Sequence, residues 1–248
     1  MPPETDAEES PSFQIRPMSP PPAAQDPKGS LRSLELKASL LDKNDRLAER
    51  NRRYFRSRGL LALNLVSSPG AGKTTLLERT LDEFGLQVRC AVLVGDLETD
   101  NDARRLHRPH APVAQITTGE ACHLEADMVA RGVEAIDLAG VKVLFIENVG
   151  NLVCPASFDL GEEVRVVLLS CTEGEDKPLK YPPIFKSAHV VLLTKVDAAA
   201  VLGFDVEVAS RNIQRIAPQA RLIRLSARSG EGMSEWYELI RSLGPKAI

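Results

Sequence analysis

"LALNLVSSPGAGKTTLLERT", residues 61–80, runs from a short apolar stretch through a glycine-rich turn into leucines at helical spacing. A strand, a loop and a helix in that order frame a phosphate-binding loop of the pattern G-x-x-x-x-G-K-[ST]. Gly72, Lys73 and Thr74 meet the pattern, while Ser67 stands where its first glycine would be. The chemistry depends on the cradle rather than on that glycine. Gly70 and Gly72 let backbone N–H groups turn inward around phosphate oxygens at a helix N-terminus. Ser68, Pro69, Gly70, Ala71, Gly72, Lys73, Thr74 and Thr75 are therefore the expected nucleotide contacts. Lys73 supplies a point charge to the terminal phosphates, and Thr74 offers a hydroxyl to Mg²⁺.

The strand-then-helix rhythm repeats downstream. Apolar runs occur at 60–66, 88–95, 113–118, 141–149, 164–170, 189–194 and 220–226, with helical patterns at 74–84, 123–139, 205–217 and 233–243. Continuous rather than alternating apolar runs suit strands covered on both faces. The fold class is α/β: a three-layer P-loop NTPase fold with a mainly parallel sheet flanked by helices, its ligands at the carboxyl ends of the strands. Upstream, residues 1–32 read as a disordered Pro-rich leader, since the first thirty residues hold eight of the 17 prolines. Residues 33–248 read as the nucleotide domain with an N-terminal helical extension. In that extension Leu34, Leu36, Leu40, Leu41, Leu47, Tyr54 and Phe55 predict an apolar helix face, Gly59 a stop, and Arg46, Glu49, Arg50, Arg52 and Arg53 a solvated face.

Two strand ends discriminate between bases. In "LLTKVD" Asp197 is placed to accept two hydrogen bonds from a guanine edge, which adenine cannot supply, with the Lys195 stem along the base. Ser226 and Ala227, in "LSARSGEG", are placed to close over the same base. Together they indicate GTP rather than ATP. Thr194 replaces the asparagine usual in that motif, so one bracing bond is lost or made differently. Glu147, in "LFIENVGNLVCP" (144–155), is the carboxylate for Mg²⁺, and Gly150 is the sensor of the γ-phosphate. Asp96, ending "CAVLVGD", is either a second acid in the metal's reach or a surface cap. Lys73, Thr74, Asp96 and Glu147 are the catalytic candidates.

The thiols raise a second chemistry. Cys122 and His123 are adjacent beyond the run "VAQITT", and Cys154 follows Gly150 by four residues. Thiolate and imidazole together suit Ni²⁺ or Zn²⁺, and three ligands leave a position open for exchange. Three unrelated residues are the alternative, because no C-x-x-C is present. Cys90 and Cys171, the remaining two of four cysteines, receive no role, and Cys90 lies in a core-like run.

Bulk composition narrows the partners. The 248 residues are 43% hydrophobic and 26% charged with a net charge of −3, enough for one sizeable core and no electrostatic case for nucleic acid or an anionic membrane. No apolar run approaches the ~18 residues of a membrane span, and the N-terminus lacks a signal-peptide pattern. The expected location is cytoplasmic.

With these residues in place, the chain resembles the HypB family of hydrogenase maturation GTPases, of the SIMIBI class. The resemblance rests on "KNDRLAERNR", "LNLVSSPGAGKTTLLERT", "GDLETDNDARR", "TTGEACHLEADMV", "ENVGNLVCP", "EGEDKPLKYP" and "SARSGEG". It implies GTP hydrolysis and help in inserting nickel into [NiFe]-hydrogenase. It also implies metal ligands at Cys122, His123 and Cys154, a homodimer formed on GTP binding, and two partners: a HypA-type nickel metallochaperone and the hydrogenase large-subunit precursor. Two features of some members are absent: an N-terminal C-x-x-C-G-C site and a histidine-rich nickel store. A urease-type nickel GTPase, a GTPase chaperone for a cobalamin-dependent mutase, and a nucleotide-dependent scaffold with structural thiols are the competing readings. Gly150 and Cys154 are four residues apart, so their α-carbons lie within ~14 Å and a shift at one is expected to reach the other.

Overall fold

Seven strands form one parallel sheet in the order β3-β2-β4-β1-β5-β6-β7. They are β1 (Leu61–Ser67), β2 (Cys90–Asp96), β3 (Val113–Thr117), β4 (Val143–Glu147), β5 (Val164–Ser170), β6 (Val190–Thr194) and β7 (Arg221–Leu225). The computed structural model describes residues 27–119 and 121–244, with side chains from 38 onward. The residues before 27, most of the expected leader, lie outside the described part.

Each strand falls within a predicted apolar run or one residue beyond it. β1 and β5 are buried at every position, as strands covered on both faces must be, whereas β7 at one edge alternates, with Arg221 and Arg224 exposed. The helices are α1 (Pro27–Ser57), α2 (Lys73–Glu83), α3 (Asn101–Leu106), α4 (Ala126–Glu134), α5 (Lys177–Lys180), α6 (Pro182–Lys186), α7 (Ala199–Leu202), α8 (Val206–Ile216) and α9 (Met233–Leu243). α2 and α9 pack together under one face of the sheet, where Trp236 is fully buried and its indole N–H donates to Thr80 Oγ1 at 3.1 Å. α4 is shorter than its pattern suggested, and α3 has too few residues to show a period at all.

α1 departs from expectation in what it buries. It ends at Ser57, and Gly59 closes the turn as predicted, with Leu60 N donating to Phe55 O at 2.9 Å. The buried stripe, however, is Asn44, Ala48, Asn51 and Phe55, at spacings of four, three and four, while Leu40 is 56% exposed. The asparagines tolerate burial because backbone groups satisfy them. Asn44 accepts from Ala126 N (2.9 Å) and donates to Asp159 O (2.8 Å). Asn51 donates to Ala126 O (2.8 Å) and Leu160 O (3.0 Å). Arg52, expected on a solvated face, turns instead to Asp159 at 2.6 Å. α1 therefore straps two separate loops, one leading into α4 and one following Cys154.

Asn51→Ala removes both donated bonds, leaving the Leu160 carbonyl without its donor and Ala126 with its helix bond alone, and is expected to lower the unfolding free energy by about 1–3 kcal/mol. Leu40→Ala, on the face that the leucine pattern suggested, is expected to change it by less than about 0.5 kcal/mol. Urea titrations of the two variants measure both, and equal losses would restore the leucine face.

Candidate functional site

The sheet order decides what meets what. β1 lies between β4 and β5, so the loop leaving β1 sits beside the end of β4, with Leu65 opposite Glu147. The loop turns through Gly70 (φ 73°) and Gly72 (φ 98°), backbone conformations that a side chain disfavours, and opens onto the N-terminus of α2. Gly150 is needed for a different reason: a Cβ there would lie 3.0 Å from the Pro69 backbone. The end of β4 thus touches the loop directly.

Lys73 is buried and donates to Ser67 Oγ at 3.1 Å; burial pulls its pKa down, against the opposing pull of Glu147 and three further carboxylates. Thr74 Oγ1 donates to Glu147 Oε1 at 2.8 Å. Glu147 is 3% exposed, and burial, outweighing Lys73 and the Thr74 bond, pushes its pKa up to about 7. Its Oε2 is buried with no hydrogen-bond partner among the described residues. A hydroxyl and an unsatisfied carboxylate oxygen side by side under a phosphate cradle are the donor set that Mg²⁺ takes. Asp96 is differently engaged. Its Oδ1 accepts from Thr99 N (2.8 Å), Glu98 N (3.1 Å) and Thr99 Oγ1 (3.2 Å), the cap of a turn. Burial raises its pKa, but those bonds outweigh it and leave the carboxyl below its ordinary range.

On the other side of the loop is a cavity of about 250 Å³. Ala71, Gly72, Thr75, Lys195, Asp197, Ser226 and Ala227 line it, so β6 and β7 do bring together the two segments expected to discriminate between bases. Thr194 makes the brace in its own way: its hydroxyl donates to Ala71 O at 2.8 Å. Lys195 adopts φ 60° and donates to Gly70 O at 2.7 Å. Three neighbours escaped motif reading. Lys177 Nζ lies 3.3 Å from Ser68 Oγ and 3.2 Å from Glu173. Arg105 donates to Thr75 Oγ1 at 3.2 Å, and Asp102 adds negative charge near both Lys73 and Glu147. The segments "GDLETDNDARR" and "EGEDKPLKYP" carry them, but neither contains a pattern with a chemical role of its own.

The thiols do converge. Cys122 and His123 lie in the loop between β3 and α4, and Cys154 opens a single 3₁₀ turn after β4. The two sulfurs are 2.7 Å apart, Cys122 Sγ is 3.8 Å from His123 Nδ1, and one ligand atom from each residue falls within 4.8 Å of the others. Two sulfurs bound to one tetrahedral ion at about 2.3 Å stand roughly 3.8 Å apart, so an ion entering here separates the pair. The His123 ring lies on Phe158 at 3.9 Å between centroids, and its buried Nε2 has no hydrogen-bond partner among the described residues. Burial holds His123 below its ordinary pKa despite Glu125, favouring the neutral imidazole that binds metal. The hydrogen bond it shares with Cys122 Sγ, and then burial, raise the Cys154 thiol. Cys90 and Cys171 are buried thiols, pushed by desolvation to about 12 and about 11, and belong to the core.

Residues 61–224 match the family model for the CobW/HypB/UreG nucleotide-binding domain. The chain is also 54% identical over 211 residues to the hydrogenase maturation factor HypB of Escherichia coli K12, covering 85% of this chain and 73% of that relative. The chain belongs to the HypB family. Two HypB crystal structures superimpose on it. The HypB of Archaeoglobus fulgidus is 39% identical with a TM-score of 0.77, over 82% of this chain and 98% of that one. The HypB of Helicobacter pylori in complex with nickel is 38% identical with a TM-score of 0.76, over 83% and 99%. The HypB fold thus carries in this chain both a nucleotide cradle and a thiol–imidazole cluster, on neighbouring strand ends. Among the described residues no helix is long and apolar enough to cross a membrane.

Glu147 has a consequence for stability. Its folded pKa of about 7 exceeds the ordinary 4.5, so the folded state binds this proton more tightly and folding is favoured at low pH. Nucleotide-free protein is expected to lose stability relative to Glu147→Gln as pH rises from 5 to 8, by on the order of 2–4 kcal/mol. Urea midpoints at the two pH values test this; a difference independent of pH would contradict the assignment.

Proposed function

We propose that the chain is a GTP-hydrolysing metallochaperone that assists nickel insertion into [NiFe]-hydrogenase, its nucleotide state controlling a nickel site at Cys122, His123 and Cys154. One observation carries this reading: Cys154, one member of the ligand cluster, stands on the loop that leaves the strand of Glu147, so the two share one strand end. The nickel in the Helicobacter relative supports nickel as cargo, with zinc as the competing ion. Guanine selection rests on Asp197, which lines the base cavity together with Ser226 and Ala227.

Lys73, released from Ser67, neutralises the terminal phosphates, and the backbone of 68–75 positions them. Thr74 and Glu147 would hold Mg²⁺, which would supply charge neutralisation to the phosphates. The close approach of Gly150 to Pro69 supports its role as the reporter of γ-phosphate loss. Dimerisation on GTP binding, transfer from a HypA-type metallochaperone, delivery to the hydrogenase large-subunit precursor and a cytoplasmic location complete the proposal.

Cys122→Ser and Cys154→Ser are expected to weaken Ni²⁺ binding at least about tenfold and to abolish hydrogenase activity in a complemented deletion strain. Asp197→Asn is expected to cut the preference for GTP over ATP by roughly two orders of magnitude. The central measurement is Ni²⁺ affinity with GDP and with a non-hydrolysable GTP analogue, alongside light scattering. Equal affinities and an unchanged oligomeric state in both would refute nucleotide control.

A further inference from the structure

The chain connection from Gly150 to Cys154 accounts for only one side of the cluster. Cys122 and His123 arrive from a different segment, the loop between β3 and α4, and no covalent path of comparable length joins them to the end of β4. A side chain bridges that gap. Asn148 directly follows Glu147 and is 1% exposed. Its Oδ1 accepts from Leu124 N, the residue after His123, at 3.1 Å, and from Val149 N at 3.0 Å. Its Nδ2 donates to Asn64 Oδ1 on β1 at 3.3 Å, and Asn64 in turn donates to Glu162 Oε1 at 3.2 Å. The backbone N–H of Asn148 donates to Leu65 O at 3.0 Å, continuing the β4–β1 ladder. The amide is therefore oriented from both ends: Asn64 fixes which way it points, and the oxygen is left for the ligand loop.

We propose that Asn148 is a positioning residue that ties the Cys122–His123 loop to the end of β4, so that both sides of the thiol cluster follow the nucleotide strand. Cys154 follows through the main chain and Cys122–His123 through the Asn148 amide. The cluster then opens or closes as a unit, instead of one thiol moving against a fixed pair. Leu124 N is the apt point of attachment because Leu124 is fully buried, which leaves its N–H no solvent alternative. The anchoring of Ala126 by Asn44 and Asn51 leaves residues 121–124 as the short segment that Asn148 can move.

The inference rests on the nucleotide control proposed above, and the test separates the two. In full-length protein, iodoacetamide alkylation of Cys122 is followed by intact mass in a Cys154→Ser chain, and that of Cys154 in a Cys122→Ser chain. Each is measured with GDP and with Mg²⁺ and a non-hydrolysable GTP analogue, at a dilution where light scattering finds monomer in both states. Cys90 and Cys171 are buried and do not compete. Both thiols are expected to change rate at least about fivefold between nucleotide states. Adding Asn148→Ala is expected to bring the Cys122 response to within about twofold while Cys154 keeps its own. If Asn148→Ala does not fold, Asn148→Ser serves, being one bond too short to reach Leu124 N.

A Cys122 response that survives in Asn148→Ala, or a Cys154 response lost with it, overturns the role of Asn148 and leaves nucleotide control standing. If neither thiol responds in the parent chains, nucleotide control fails and this inference falls with it.

Discussion

β4 pairs with β1 on one side and β2 on the other, and that double pairing governs the upper edge of the sheet. Beside β1 it places Glu147 under the hydroxyl of Thr74, where the carboxylate keeps an unsatisfied buried oxygen. Beside β2 it faces the strand whose other neighbour, β3, leads into the Cys122–His123 loop. A buried carboxylate lacking a full set of partners is unfavourable on its own. A proton relieves that cost at low pH, and the Mg²⁺ proposed for this site would relieve it when nucleotide is bound.

A second layer of organisation is polar and lies inside the protein. Asn64, Asn148, Asn44 and Asn51 are buried, together with the Glu162–Arg165 pair, and each asparagine is matched to a backbone group or another amide. Such a set fixes geometry more narrowly than apolar packing, because a displaced hydrogen bond is lost whereas a displaced methyl finds another neighbour. The loops that carry Cys122, His123 and Cys154 lack regular structure of their own beyond one 3₁₀ turn. Their placement comes from this set.

The sheet was readable from composition because strands covered on both faces are mainly apolar, and β1 and β5 are buried at every position with Asn64, Ser67, Arg165 and Ser170 as their polar residues. The strand-end residues followed, since a parallel sheet gathers all its carboxyl ends on one edge. Sequence could not show which neighbours met there: Thr194 bracing Ala71, Lys177 at Ser68 and Arg105 at Thr75 are tertiary contacts without a local pattern. The face of α1 was read only in part, Phe55 being buried as expected, for a related reason. Apolar periodicity assumes that burial follows hydrophobicity, and here two asparagines are buried because loops offer them partners, while Leu40 is left outside. Asp96 was open between two roles by sequence, and its three bonds from residues 98 and 99 favour the turn cap.

The straps from α1 grip main-chain atoms: the N–H and C=O of Ala126 and the carbonyls of Asp159 and Leu160. None of those grips depends on which side chain occupies 122, 123 or 154. Exchanging a thiolate for an imidazole or a carboxylate at one of these positions therefore alters the softness of the donor set while the frame stays intact. The frame is thus indifferent to what those positions would bind. If they hold the proposed metal, its preference rests on three side chains, one of which, His123, also packs on a neighbour, Phe158.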